Sequence, residues 1–145
     1  MESVKYWSKE FAEALVRELA DDASFRKAAR SFNDAIELRC LDRPDGQDAR
    51  AVYSIDRGRV SVRYEERPAP WRELREAPFE KRERFARTTA TYDLWRQVDQ
   101  GEIGVLSAIR SPGYNVEGSA LKVVAHVGIF RAMNAASGRI DKRYD

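Results

Sequence analysis

The sequence predicts an α+β fold on three observations. An amphipathic helix opens the chain, three alternating strands joined by turn signals follow it, and two later strands each lead into a helix. In the first helix Val4, Trp7, Phe11, Leu15 and Leu19 recur at three- and four-residue steps, with Lys5, Lys9, Glu10, Glu13 and Arg17 between them. Asp21-Asp22 weakens that pattern, and Ser24 is placed to cap a short second helix running to about Arg30. Residues 34–42 alternate, with Ile36, Leu38 and Cys40 facing one way and Glu37 and Arg39 the other. Pro44-Asp45-Gly46 is a turn, after which Ala49, Ala51, Tyr53 and Ile55 stay in phase over residues 49–56. Arg57-Gly58 then makes a tight turn into Val60, Val62 and Tyr64. These three strands form an antiparallel meander with one buried face.

Residues 67–83 interrupt the pattern. Pro68, Pro70 and Pro78 bracket Trp71, Leu74 and Phe79, which predicts a long connection with a short helix lying on the body of the protein. Residues 84–91 suit a fourth strand, Tyr92 to Gln100 a short helix ended by Gly101, and Ile103 to Ile109 another helix stopped by Pro112-Gly113. Tyr114 to Gly118 reads as a brief strand. From Ala120 to about Ala136, with Ser119 as cap, the sequence predicts one helix that is apolar most of the way round: Val123, Val127 and Phe130 on one side, Leu121, Ala125 and Ala132 on the other. Such a helix is buried or borders a cavity, a partner or a membrane.

Composition narrows the function. The chain has 145 residues, 43% hydrophobic and 34% charged, which fits one globular domain over residues 1–145. No apolar run approaches the roughly eighteen residues a membrane span needs. The first residues lack the apolar core of an export signal, so a cytoplasmic location is expected. One cysteine and one histidine exclude an internal disulfide and Cys- or His-rich metal sites, so no metal and no cofactor are expected. Residues 57–87 carry 10 basic and 6 acidic side chains, but the signs interleave as in Arg72-Glu73-Leu74-Arg75-Glu76. That pattern describes a solvated face with local ion pairs. Transient contact with an acidic membrane surface is its functional alternative, and no nucleic-acid motif accompanies it.

The catalytic inventory is thin. His126 falls on the apolar last helix, where a structural role is expected. Cys40 falls on the inner face of a strand. There is no nucleophile elbow, phosphate loop or dinucleotide fingerprint. A cofactor-free enzyme would need a carboxylate such as Glu37 or Glu117 pointing inward, and alternation turns both away from the apolar side. No enzyme activity is expected.

From Thr89 to Met133 the sequence resembles the C-terminal half of the sterol carrier protein 2 family. The resemblance is carried by Asp93-Leu94-Trp95-Arg96-Gln97-Val98-Asp99-Gln100-Gly101, by the helix Ile103 to Ile109, and by the strand Tyr114-Asn115-Val116-Glu117-Gly118 leading into the apolar helix from Ala120. The N-terminal helix and meander agree in order. Two departures are the connection Arg110-Ser111-Pro112-Gly113 and the longer Pro-rich segment 67–83. The resemblance implies a mixed five-stranded sheet with helices packed on one side and an apolar tunnel between them. On that fold the tunnel is lined by Trp95, Ile103, Leu106, Ile109, Val116, Leu121, Val124 and Phe130, with Arg110 and Lys122 at its mouth. The function implied is non-catalytic binding and transfer of a lipid or other long apolar small molecule: a fatty acid, an acyl thioester or a sterol-like compound. The alternative is an interaction module whose apolar helix forms a homodimer or docks on a partner enzyme.

Overall fold

The computed structural model describes residues 3–145. In chain order the elements are β1 (Val4–Lys5), α1 (Lys9–Ala20), α2 (Ala23–Ala28), β2 (Asn33–Leu41), β3 (Gln47–Asp56), β4 (Arg59–Pro68), α3 (Arg72–Glu76) and β5 (Ala86–Thr91). Then follow α4 (Tyr92–Asp99), α5 (Val105–Ile109), β6 (Asn115–Gly118), α6 (Ala120–Ala125), α7 (Val127–Arg139) and β7 (Lys142–Arg143). The main sheet has the order β4-β3-β2-β5-β6 and is mixed, because β2 and β5 run parallel while the other neighbours are antiparallel.

The meander forms as its alternation predicts. Arg57 and Gly58 both adopt positive φ (51° and 94°), the backbone of the tight two-residue hairpin that joins β3 to β4. At the other edge, Gly118 sits opposite Ala86 with φ 137°, and a Cβ there would lie 2.8 Å from the Phe85 carbonyl. Only glycine closes β6 onto β5 at that point. The inward residues Ile36, Cys40, Ala49, Tyr53 and Ile55 pack under α1, α2 and α7 in one core with Phe11, Leu15, Leu19, Phe25 and Ile129.

The structure departs from the sequence expectations in four places. The first helix begins at Lys9. Val4 and Lys5 are instead a strand paired in parallel with Lys142 and Arg143, Trp7 turns the chain at φ 55°, and Ser8 caps α1 by accepting from the Phe11 N–H. The second helix is capped by Asp22 and not by Ser24. The predicted helix 120–136 is two helices, broken at His126 (φ −114°, ψ 23°) and then continued to Arg139. The imidazole explains the break: its edge meets the rings of Phe32 and Phe85 at 5.4 and 5.3 Å, and Nδ1 lies 3.0 Å from the Lys122 carbonyl.

The fourth departure concerns the sheet. Its second face is covered as well. Glu37, Arg39, Val52 and Arg87, all pointing away from the helices, are buried. Residues 69–85, which we call the strap, cross this face. The strap is anchored by Asp48, which is fully buried and accepts from the Trp71 N–H (2.9 Å) and from Arg75 Nε (2.8 Å). Trp71 lies beneath the guanidiniums of Arg50 and Arg67, and Arg84 bonds Glu37.

Candidate functional site

An apolar cavity of about 90 Å³ lies between the sheet and the helices. Its floor is Leu38, Ala51, Tyr53 and Thr88, which are the inward-phase residues of β2, β3 and β5. Its roof comes from α1 (Phe11, Ala12, Leu15), α4 (Trp95, Val98) and α7 (Phe130, Met133). A run of aromatic rings forms one wall: Trp7 meets Trp95 at 5.3 Å and Trp95 meets Tyr114 at 5.8 Å. The Trp95 indole N–H donates to the Arg39 carbonyl (3.0 Å), which fixes that ring on the sheet.

A few polar groups are spaced around this space. Asp99 is held from three sides, accepting from the Ser137 and Tyr144 hydroxyls and lying 2.8 Å from the Lys142 ammonium. At another corner the Tyr64 hydroxyl accepts from Arg43 (2.7 Å), and Arg43 also donates to the Trp7 carbonyl (2.6 Å). Burial alone pushes the Tyr114 hydroxyl up to about 12, and burial pushes that of Tyr53 higher still. Both therefore keep their protons at neutral pH and offer O–H donors to a carbonyl or carboxylate.

The sequence-predicted residues divide. Trp95 and Phe130 line the cavity. Ile103 and Val116 are half-buried and outside the lining, where their neighbours Val105 and Tyr114 stand instead. Leu106 (61% exposed), Ile109 (43%), Leu121 (85%) and Val124 (71%) are on the surface. For Leu121 and Val124 the physical reason is helical phase. At 100° per residue Leu121 stands opposite Phe130 and Val124 well away from its side, and the short α6 buries none of its residues. Arg110 and Lys122 are exposed beside these apolar side chains. The contribution of α1 and the sheet floor was not predicted, because an inward aromatic reads the same whether it fills a core or borders a space. A usable signal existed in Tyr53 and Tyr64, which put hydroxyls in phase with Ala51 on the inner face.

No protein-family model matches this sequence, and no curated protein matches it. Solved structures do match. A crystal structure of sterol carrier protein 2 superposes with a TM-score of 0.74 at 15% identity, covering 94% of this chain and 99% of that one. The fold is that of sterol carrier protein 2. A conserved hypothetical protein of Thermus thermophilus, described as a possible sterol carrier protein, gives 0.72 at 15% identity over 100% of this chain and 96% of its own. Sterol carrier protein domain 2 of Helicoverpa armigera gives 0.58 at 14% identity over 97% and 98%. Within this shared fold the apolar space described above lies between sheet and helices. Among the described residues, no helix is long and apolar enough to cross a membrane.

Proposed function

We propose that this protein binds a lipid or another long apolar small molecule in the space between sheet and helices and carries it reversibly, without catalysing a reaction. One observation carries the reading: the space is walled by apolar side chains from helices and strands alike. Each methylene buried there contributes about 0.8 kcal/mol, and Tyr53 and Tyr114 orient a carbonyl or carboxyl end. The present volume holds a short run of chain. A long acyl chain or a ring system needs the wall formed by residues 103–126 to move. That wall is weakly anchored, since α5 buries only Ala108 and α6 buries nothing.

Native mass spectrometry before and after organic extraction tests the reading. The expected result is a stoichiometric lipid, or uptake of one from a panel of fatty acids, acyl thioesters and sterols. Phe130→Arg, which places a charge in the cavity wall, should weaken binding at least about tenfold while leaving the circular dichroism spectrum intact. Refusal of the whole panel by a folded apo protein would exclude the carrier reading.

The exposed Leu106, Ile109, Leu121 and Val124, flanked by Arg110 and Lys122, give the loading step a surface. Exposed apolar side chains next in sequence to cations suit an anionic lipid bilayer. Sedimentation with phosphatidylserine-containing vesicles should bring the protein down, and the L121D/V124D double variant should abolish this. Binding by the double variant equal to wild type would sink the idea. A concentration-dependent dimer lost in the same variant would instead assign this face to a second copy of the chain.

A further inference from the structure

The charged layer beneath the strap holds more positive charge than its partners neutralise. Beside the Asp48–Arg75 pair, four arginines, none of them exposed, meet three glutamates there. Arg50 bonds Glu65 (2.6 Å), Arg87 forks onto Glu117 (2.8 and 3.0 Å), and Arg84 bonds Glu37 (3.1 Å). Arg39 is left over. It is 2% exposed, its Nε lies 3.8 Å from the nearest Glu37 oxygen, and both Nε and Nη2 are buried without a hydrogen-bond acceptor. An arginine keeps its charge under any ordinary condition, so these donors remain cationic.

Strand register puts Arg39 opposite Arg50, and Arg50 lies over the Trp71 ring at 5.4 Å. Two more buried donors therefore accompany the guanidinium: Arg50 Nε and the Trp71 indole N–H, neither of which has an acceptor. Adjacent like charges with four unmatched donor atoms are an expensive arrangement for an internal ion-pair layer. They are the expected arrangement around an anion.

We propose that Arg39 is the base of a binding site for a small monovalent anion, enclosed by the strap, with Arg50 and Trp71 as its further donors. The excess of one positive charge sets the valence. The closure of the layer, where the Arg39 and Glu37 side chains are 3% and 7% exposed, sets the size at that of a halide or a similarly compact ion. The site lies on the face of the sheet opposite the cavity and does not depend on the lipid reading.

Thermal unfolding at fixed ionic strength tests it, with chloride replacing a bulky organic anion such as gluconate. Wild type should show a saturable rise in Tm of several degrees with chloride. Arg39→Met should lose the saturable response, and Arg30→Met, at an exposed arginine, should keep it. Crystals of the wild type grown in bromide should show an anomalous peak within hydrogen-bond reach of Arg39. No chloride dependence in the wild type, or an unchanged dependence in Arg39→Met, overturns the proposal. If Arg39→Met does not fold, the crystal decides: a site without an anomalous peak overturns the proposal, since water then meets the guanidinium.

Discussion

Asp48→Ala is expected to lower stability by about 3 kcal/mol, read as a fall in Tm of roughly 10 °C by differential scanning calorimetry. Asp48 is fully buried and joins three segments: it accepts from the backbone N–H groups of Asp42 and Trp71 and from two nitrogens of Arg75. Removing it leaves two N–H donors unpaired and frees the start of the strap. Arg75, about a third exposed, recovers part of its hydration, which keeps the cost at the lower end for a broken buried pair. A cost below about 1 kcal/mol would mean that the strap is held by its apolar contacts alone. The same carboxyl gives an acid signature. Burial pushes Asp48 up, but Arg75 and the two backbone donors outweigh it, and the net shift is downward. Asp45 and Glu66 are pulled down chiefly by Arg43, and Glu65 chiefly by Arg50. Groups depressed in the folded state stabilise it above their unfolded values and lose that contribution as the pH falls through the folded ones. Stability should therefore be flat down to about pH 5 and decline below about pH 4, less steeply in Asp48→Ala than in wild type.

The strap also shows where sequence reasoning stopped. Strict alternation along residues 34–42 and 49–56 set the inner face of the sheet correctly, and β2 and β3 follow it residue by residue. On the outer face the same alternation offered Glu37, Arg39, Asp48 and Arg50, and charge on a strand face ordinarily means water. What reverses this is a segment far downstream whose own cations and tryptophan answer those charges. Nothing within either strand encodes that pairing. β1 and β7 were missed for a related reason. Two residues at each end carry no period, and their pairing spans almost the entire chain.

The candidate site was legible in its aromatic members and lost in its aliphatic ones. Trp95 lines the cavity from α4, a helix that forms as predicted, and Phe130 from α7, the part of the predicted last helix that lies beyond the break at His126. Leu121 and Val124 lie on the surface, out of phase with Phe130. Periodicity carried the helix through His126, while the two phenylalanine rings that seat the imidazole come from Phe32 and Phe85, remote in sequence. Continuity of a helix is a local expectation, and here a tertiary contact overrides it.

Asp99→Ala carries the larger expected cost, about 3–5 kcal/mol, because its loss leaves a buried cation with no counter-charge and only the Ser137 carbonyl as acceptor. Lys142 and Asp99 are 3% and 2% exposed in their side chains and 2.8 Å apart. The ammonium also lies within 5.8 to 6.0 Å of the ring centres of Tyr6, Tyr144 and Phe11, so no water replaces the carboxylate. The Ser137 and Tyr144 hydroxyls lose their acceptor in the same step. An apolar pair of similar size avoids this penalty, since neither charge is then left unsolvated. The double variant D99L/K142M should therefore return to within about 2 kcal/mol of wild type in chemical denaturation, with the methionine packed among the same rings. A double variant as unstable as the single one would show that the hydroxyl network, and not the ion pair, holds the C-terminus on the body. The distinction reaches the cavity. Tyr6, Phe11, Asp99 and Ser137 all border it, so under the proposed function Asp99→Ala should lose lipid uptake together with stability, whereas D99L/K142M should regain both.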